Sequence, residues 1–301
     1  MASPVASLAE RIPCRRREPL ARWTTLRIGG PAEWFFEPAR PEDLLELLDR
    51  LHEAGEPFRL LGGGANLLAP DGGVPGAVIH TGAMRRIFRE GADGLRVWPG
   101  VTLPQLVRTA GELGLSGLER LVGVPGQVGG ALAMNAGAAD WGIWDRVREA
   151  VLWRPGRPPA ACSRAEVGPG YRDGNLGDGV VLEALIGLEV STPAAVKAAA
   201  EAILRRKNAT QPVTLSSAGC AFRNPPGDSA GRLIDAAGLK GARVGGAVVS
   251  ERHANFVVNA GGATAANVRD LLRRIEETVA ERFGVRLERE LVVWPEPGEG
   301  G

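Results

Sequence analysis

The sequence predicts an α+β fold of two or three domains, and three observations predict it. Strand-like and helix-like periods are mixed without the strict βαβα rhythm of a doubly wound sheet. At 301 residues the chain exceeds what one minimal domain needs. Two glycine-rich stretches, at 62–64 and 123–138, punctuate it far apart in sequence.

The N-terminal segment reads as a helix followed by two strands. Leu44, Leu47, Leu48 and Leu51 recur at helical spacing and predict an amphipathic helix over 41–55. Residues 58–61 read as a short buried strand entering the first glycine loop, and 74–80 and 95–100 as further strands. Leu103, Leu106, Val107 and Ala110 predict a helix over 103–114. Over 180–190, Leu182, Ala184, Ile186 and Leu188 alternate with Glu183 and Glu189, the period of a strand. Residues 193–207 predict a helix ending in Arg205, Arg206 and Lys207, and 208–228 a loop rich in Ser, Gly and Pro. Beyond it the pattern gives a short helix over 229–239, strands over 242–250 and 253–259, and a long helix over 264–283. A final strand over 285–294 precedes a Pro/Gly/Glu tail expected to be disordered.

Composition excludes several classes of function. With 36 basic and 35 acidic residues, no global field draws the chain to nucleic acid or membrane, so anion recognition must be local. Cys14, Cys162 and Cys220 are odd in number and widely spaced, which fits neither a disulfide framework nor a zinc site and suits a reducing cytosol. No apolar run precedes Arg15-Arg16-Arg17 as a secretory signal would require, and none is long enough to span a bilayer. Three histidines without metal spacing make no case for a metal. A cytoplasmic protein is expected.

The glycine loops admit two readings from residues alone. Gly62-Gly63-Gly64 after a strand, and Gly126, Gly129 and Gly130 ahead of a helix, are either tight turns or a cradle for a diphosphate. In the second case, successive N–H groups and a helix N-terminus face the anion. Neither loop fits GxGxxG with a following acid, nor GxxxxGK[ST], which disfavours a Rossmann dinucleotide site and a P-loop.

Seven blocks, in order, then carry a resemblance: Thr24-Thr25-Leu26-Arg27-Ile28-Gly29-Gly30-Pro31-Ala32, LLGGGANLL, GVPGQVGGALAMNAGA, Gly170-Tyr171-Arg172-Asp173, Gln211-Pro212, AGCAFRNP and LERELVVW. Over about residues 19–294 the chain resembles the UDP-N-acetylenolpyruvoylglucosamine reductases, and the short stretch between Asp173 and Val180 resembles the type lacking an extra substrate-covering loop. The resemblance implies a p-cresol-methylhydroxylase-type FAD-binding region of two subdomains, 1–80 and 81–207. A substrate-binding domain over 208–284 follows, with 285–301 returning to the flavin region. It implies non-covalent FAD, held by Gly62, Gly63, Gly64, Ala65, Asn66, Leu67, Pro125, Gly126, Gly129, Gly130 and Asn135. NADPH is the implied reductant and a small UDP-sugar the substrate, with the protein expected to be a monomer. The first loop offers neither His nor Cys for covalent flavin attachment.

The implied reaction reduces a vinyl ether conjugated to a carboxylate. It needs a cation where the enediolate charge develops and an acid at the neighbouring carbon. The resemblance assigns these tasks to Arg172, whose guanidinium can fork onto a carboxylate, and to Cys220 and Glu290. Cys220 departs from the family's usual serine; with a reference pKa of about 8.5, a thiol is mostly protonated at neutral pH and a better acid than an alcohol. In the predicted final strand, period two would put Glu288 beside Glu290 on one face, about 7 Å apart. Tyr171, Arg206, Lys207, Arg223 and Asn224 are candidates to touch the substrate, while His253 reads as a structural histidine at a strand start.

Overall fold

A computed structural model describes residues 4–138, 140–212 and 214–299. The first three residues, Val213 within the expected 208–228 loop, and the last two residues of the expected tail lie outside the described residues. The architecture is α+β. The chain divides into two compact units, one from 1–16, 34–63 and 76–206, the other from 17–33, 64–75 and 207–301.

The first unit is built on a five-stranded antiparallel sheet in the order Arg157–Ser163, Val147–Arg154, Val180–Gly187, Gly94–Val97, Ile87–Glu90. The helix Pro41–Glu53 buries Leu44, Leu47, Leu48 and Leu51 in a cluster with Phe36, Ile79 and Trp153. Trp153 also donates its indole N–H to Asp49 at 2.6 Å. Pro41 opens that helix, where its missing N–H costs nothing, and Glu42 and Asp43 face the positive end of the dipole. The helix Leu103–Glu112 starts on Thr102, whose Oγ1 accepts the Gln105 N–H. Its apolar face, Leu103, Leu106, Val107 and Ala110, enters a second cluster beneath the sheet.

The central strand departs from the predicted alternation. Val151 and Leu152 stand opposite Glu183 and Val181, so Leu182 is an extra residue, a β-bulge. Leu182 packs in the cluster of the first helix, whereas Val181, Ala184 and Ile186 pack in the other. The regular strand also stops at Gly187, and Glu189–Val190 pairs separately with Leu115–Ser116. The predicted 193–207 helix is Pro193–Thr210, and Val196 is the one residue it buries among those described.

The second unit holds a four-stranded antiparallel sheet ordered Ser217–Cys220, Phe256–Asn259, Ala247–Val249, Arg243–Val244. Helices Ala230–Ala236 and Ala265–Phe283 share its core, with Leu233 and Ile234 in one cluster with Val268, Leu271, Leu272 and Ile275. The strand predicted over 242–250 is two, turning at Gly245-Gly246, and the predicted 208–228 loop contains the strand Ser217–Cys220. The final strand is shorter still: only Val292–Val293 is regular, paired in parallel with Leu67–Leu68. Leu287 and Leu291 are buried, Glu288 and Arg289 exposed and Glu290 half-buried, so period two does not hold and gives no shared face to the two glutamates.

The expected disordered tail is held through Glu299. Glu296 accepts the N–H groups of Asp71 and Gly72 and pairs with Arg269 at 2.9 Å. Asp71 in turn caps the long helix by accepting the Ala265 and Ala266 N–H groups at 2.8 and 3.0 Å.

Each unit holds one imidazole whose proton affinity is depressed, His80 buried in the first and His253 half-buried in the second. Burial pushes His80 below its ordinary value despite the Glu37 carboxylate 3.5 Å away, and burial does the same to His253. As pH falls below about 6.5 the unfolded chain takes up these protons and the folded chain resists, so stability rises with pH through that window and is lost on acidification. The melting temperature is expected to drop between about pH 7 and about pH 5, and His253→Gln to flatten that drop. Thermal denaturation monitored by circular dichroism across that range checks both.

Candidate active site

In the first unit, the two glycine loops meet. A Cβ on Gly63 would lie 2.8 Å from Gly126 Cα, and one on Gly62 would lie 3.6 Å from Gln127 Oε1. At position 63 only glycine permits that approach, whereas a Cβ at 62 would make an ordinary van der Waals contact. Gln127 is buried and its Oε1 accepts the Thr81 hydroxyl at 3.0 Å, which fixes the second loop. The helix after that loop, Val128–Ala133, is short, and its N–H groups are partly spent: Val128 and Gly129 donate to Val101 and Pro99 carbonyls, both at 2.9 Å. The expected helix-end contribution is thereby reduced. Gly130 is exposed, with open space where a side chain would be.

The first loop spends its carbonyls and keeps its N–H groups. Gly64, at φ +58, gives its carbonyl to the Thr25 N–H and Oγ1, and Asn66 gives its carbonyl to the Val292 N–H. Among the described residues, the N–H groups of Gly63, Gly64 and Ala65 have no acceptor. Consecutive free donors of this kind fit the diphosphate of a dinucleotide. Leu67, expected at the flavin, is buried in its pairing with Val292. Pro125 is exposed at the mouth of the second loop.

Arg172 sits at the tip of a tight turn closed by Gly170 and Asp173, whose N–H and carbonyl groups exchange bonds at 2.8 and 3.4 Å. Its φ of 54°, with 42° at Asn135 and 51° at Asn175, concentrates left-handed backbone around this turn. Such backbone persists where surrounding contacts enforce it. Asn135 is one of those contacts: Nδ2 donates to Gly170 O at 2.8 Å and Oδ1 accepts the Trp144 N–H at 3.2 Å. Its amide thus braces the arginine turn from the end of the second glycine stretch. Tyr171 is exposed, and its ring lies 5.2 Å from the Arg172 guanidinium carbon.

In the second unit, the chain brings Cys220, Glu290 and Asn66 to one place. Ala221, next to Cys220, accepts the N–H groups of Glu290 and Leu291 at 2.9 and 3.2 Å, and Asn66 Nδ2 donates to the Glu290 carbonyl at 2.9 Å. Cys220 is half-buried and reduced, ending a strand whose register slips between Ser217 and Cys220. Gly219, at φ +76, permits that bulge, and a small apolar cavity lined by Leu26, Ala218, Val257, Val268 and Leu291 lies behind it.

The substrate candidates are dispersed along the chain. Arg206 and Lys207 occupy the last turns of Pro193–Thr210, and burial pushes the Lys207 ammonium below its usual pKa. Arg223 donates its N–H to Glu288 O at 2.8 Å. Asn224 Oδ1 accepts the Ala230 N–H at 3.1 Å, so its NH₂ is the group it offers a ligand. His253 has the structural role expected, with Nδ1 accepting the Asn255 N–H at 3.3 Å. Gln127 and Asn255, both buried, were not legible as site residues, because an amide's partner lies in a distant segment that no local pattern marks. Among the described residues no group of His, Cys, Asp and Glu could hold a metal, and no helix is long and apolar enough to cross a membrane.

The comparisons with known proteins agree with this geometry. Residues 32–154 match the model of an FAD binding domain, and 211–294 match that of the UDP-N-acetylenolpyruvoylglucosamine reductase C-terminal domain. The fold and the paired glycine loops therefore define an FAD-dependent oxidoreductase. UDP-N-acetylenolpyruvoylglucosamine reductase 2 of Symbiobacterium thermophilum is 46% identical over 93% of this chain and 92% of its own length. The Geobacter metallireducens reductase is 44% identical over 92% of each. The crystal structure of the Thermus caldophilus UDP-N-acetylenolpyruvylglucosamine reductase superposes with a TM-score of 0.81 at 39% identity, covering 95% of this chain and 99% of that one. The chain belongs to the UDP-N-acetylenolpyruvoylglucosamine reductase family.

Proposed function

We propose that this protein, a cytoplasmic monomer, uses NADPH to reduce the enolpyruvyl group of UDP-N-acetylglucosamine enolpyruvate, giving UDP-N-acetylmuramate for peptidoglycan precursor synthesis. The observation that carries the reading is the clasp of the second unit, in which Asn66 of the first glycine loop and Ala221 beside Cys220 both bond the backbone of Glu290. It links Asn66 to the backbone segments that carry Cys220 and Glu290.

FAD, when bound, would supply hydride chemistry for the methylene carbon of the vinyl ether. Gly62, Gly63, Gly64, Ala65 and Asn66, with Pro125, Gly126, Gly129 and Gly130, would hold its diphosphate. Arg172 forks onto the substrate carboxylate and gains interaction energy as negative charge moves there. Glu290, in its protonated form, donates a further hydrogen bond to the same oxygens. The Cys220 thiol gives its proton to the carbon bearing the carboxylate and is reprotonated by solvent before the next turnover. Arg206, Lys207 and Arg223 meet the UDP diphosphate, with Asn224 and Tyr171 at the sugar.

Incubating the flavin-loaded protein with NADPH and the enolpyruvyl UDP-sugar, and identifying the product by mass spectrometry, tests this. UDP-N-acetylmuramate is the expected product; unchanged substrate alongside NADPH-driven peroxide formation would point to an oxidase. The cradle has its own test. In Gly63→Ala the new methyl must push the loops apart, and the purified variant is expected to retain FAD at least about ten-fold more weakly, measured by flavin release on dilution.

A further inference from the structure

We propose that Asn255 is a positioning residue that sets Cys220 and Glu290 in one frame; the inference rests on the reading of those two residues given above. The strand Phe256–Asn259 pairs with Cys220 through Phe256 and goes no further as a regular ladder. One residue earlier, the side chain of Asn255 takes over. Its Oδ1 accepts the Phe222 N–H at 3.0 Å and its Nδ2 donates to Phe222 O at 2.8 Å, while its own carbonyl accepts the Ala221 N–H at 2.7 Å. A side-chain amide thus stands in for a peptide unit of the missing strand.

The segment needs that substitute. Upstream of Cys220 the pairing is bulged at a left-handed glycine, so the ladder on that side leaves the direction of the thiol unfixed. Downstream, Asn255 makes three bonds to the two residues that follow the cysteine. The opposite edge of the same two residues carries Glu290: Ala221 O accepts the Glu290 and Leu291 N–H groups, and Phe222 bridges Arg289. Asn255 is 3% exposed, so each of these bonds forms without competition from water. Asparagine is the residue that fits, since the site asks one short side chain to donate and accept at once. Aspartate has the shape but lacks the donor, and would set a carboxylate oxygen against the Phe222 carbonyl.

The test separates the two half-reactions in anaerobic stopped-flow, on flavin-loaded Asn255→Asp, Asn255→Ala and, in parallel, Cys220→Ala. For the Asn255 variants, flavin reduction by NADPH is expected to stay within about two-fold of the parent. Reoxidation by the enolpyruvyl UDP-sugar is expected to slow about ten- to a hundred-fold, as misplacement of a reacting group does. Equal slowing of both half-reactions, loss of flavin from both Asn255 variants, or unchanged reoxidation would overturn the proposal. Undiminished reoxidation in Cys220→Ala would instead sink the assignment of the proton donor, whatever the Asn255 variants do.

Discussion

Cys220→Ala is expected to lower turnover of the enolpyruvyl UDP-sugar by about 10²- to 10⁴-fold at saturating substrate, the range a positioned general acid contributes. Cys220→Ser should keep substantial activity, because the hydroxyl offers a proton from the same position, although it is the weaker acid. The two variants must be compared at equal flavin content. Cys220 is half-buried at the end of its strand and lines a small apolar cavity, so a melting curve of the alanine variant separates lost packing from lost chemistry. Steady-state kinetics decide the matter: near-native kcat in the alanine variant would end the donor assignment.

Arg172→Ala is expected to cost about 10²- to 10³-fold in kcat, the loss typical of one donor aimed at developing negative charge, together with a raised KM because the ground-state carboxylate also loses its partner. Arg172→Lys restores the charge but not the fork, and should recover only part of the loss. The turn makes this substitution informative. Gly170 and Asp173 close it through backbone bonds, and Asn135 braces Gly170, so these bonds hold the turn whichever side chain stands at 172. An alanine variant with parental kcat and raised KM alone would reassign Arg172 to simple binding.

Much of the fold was legible because leucines at helical spacing and glycines at close approaches are local signals. Leu44, Leu47, Leu48 and Leu51 predict their helix and are buried as predicted. The glycines mark two loops, tight turns or a cradle, and the structure brings Gly63 within contact distance of Gly126. What failed was set by partners far along the chain. The bulge at Leu182 depends on register with Val151 and Leu152. The stretch before Val292 is held by Ala221 and Asn66 rather than by a ladder, so its strand period was illusory. The helix N-terminus behind Gly126 offers an anion fewer N–H groups than its sequence implies, because Val128 and Gly129 donate to Val101 and Pro99. Glu296, in a tail that composition marks as disordered, is anchored by Asp71, Gly72 and Arg269. Asn255 shows the same limit, since its work is defined by Ala221 and Phe222 and nothing in its own neighbourhood announces it.

The central claim is that one bound flavin passes reducing equivalents from NADPH to the enolpyruvyl UDP-sugar. It is tested most directly by watching the colour of the purified protein without oxygen. The account predicts yellow protein that bleaches with NADPH and regains its full flavin absorbance on stoichiometric addition of the enolpyruvyl UDP-sugar. Protein that bleaches but recovers only when oxygen is admitted would contradict it.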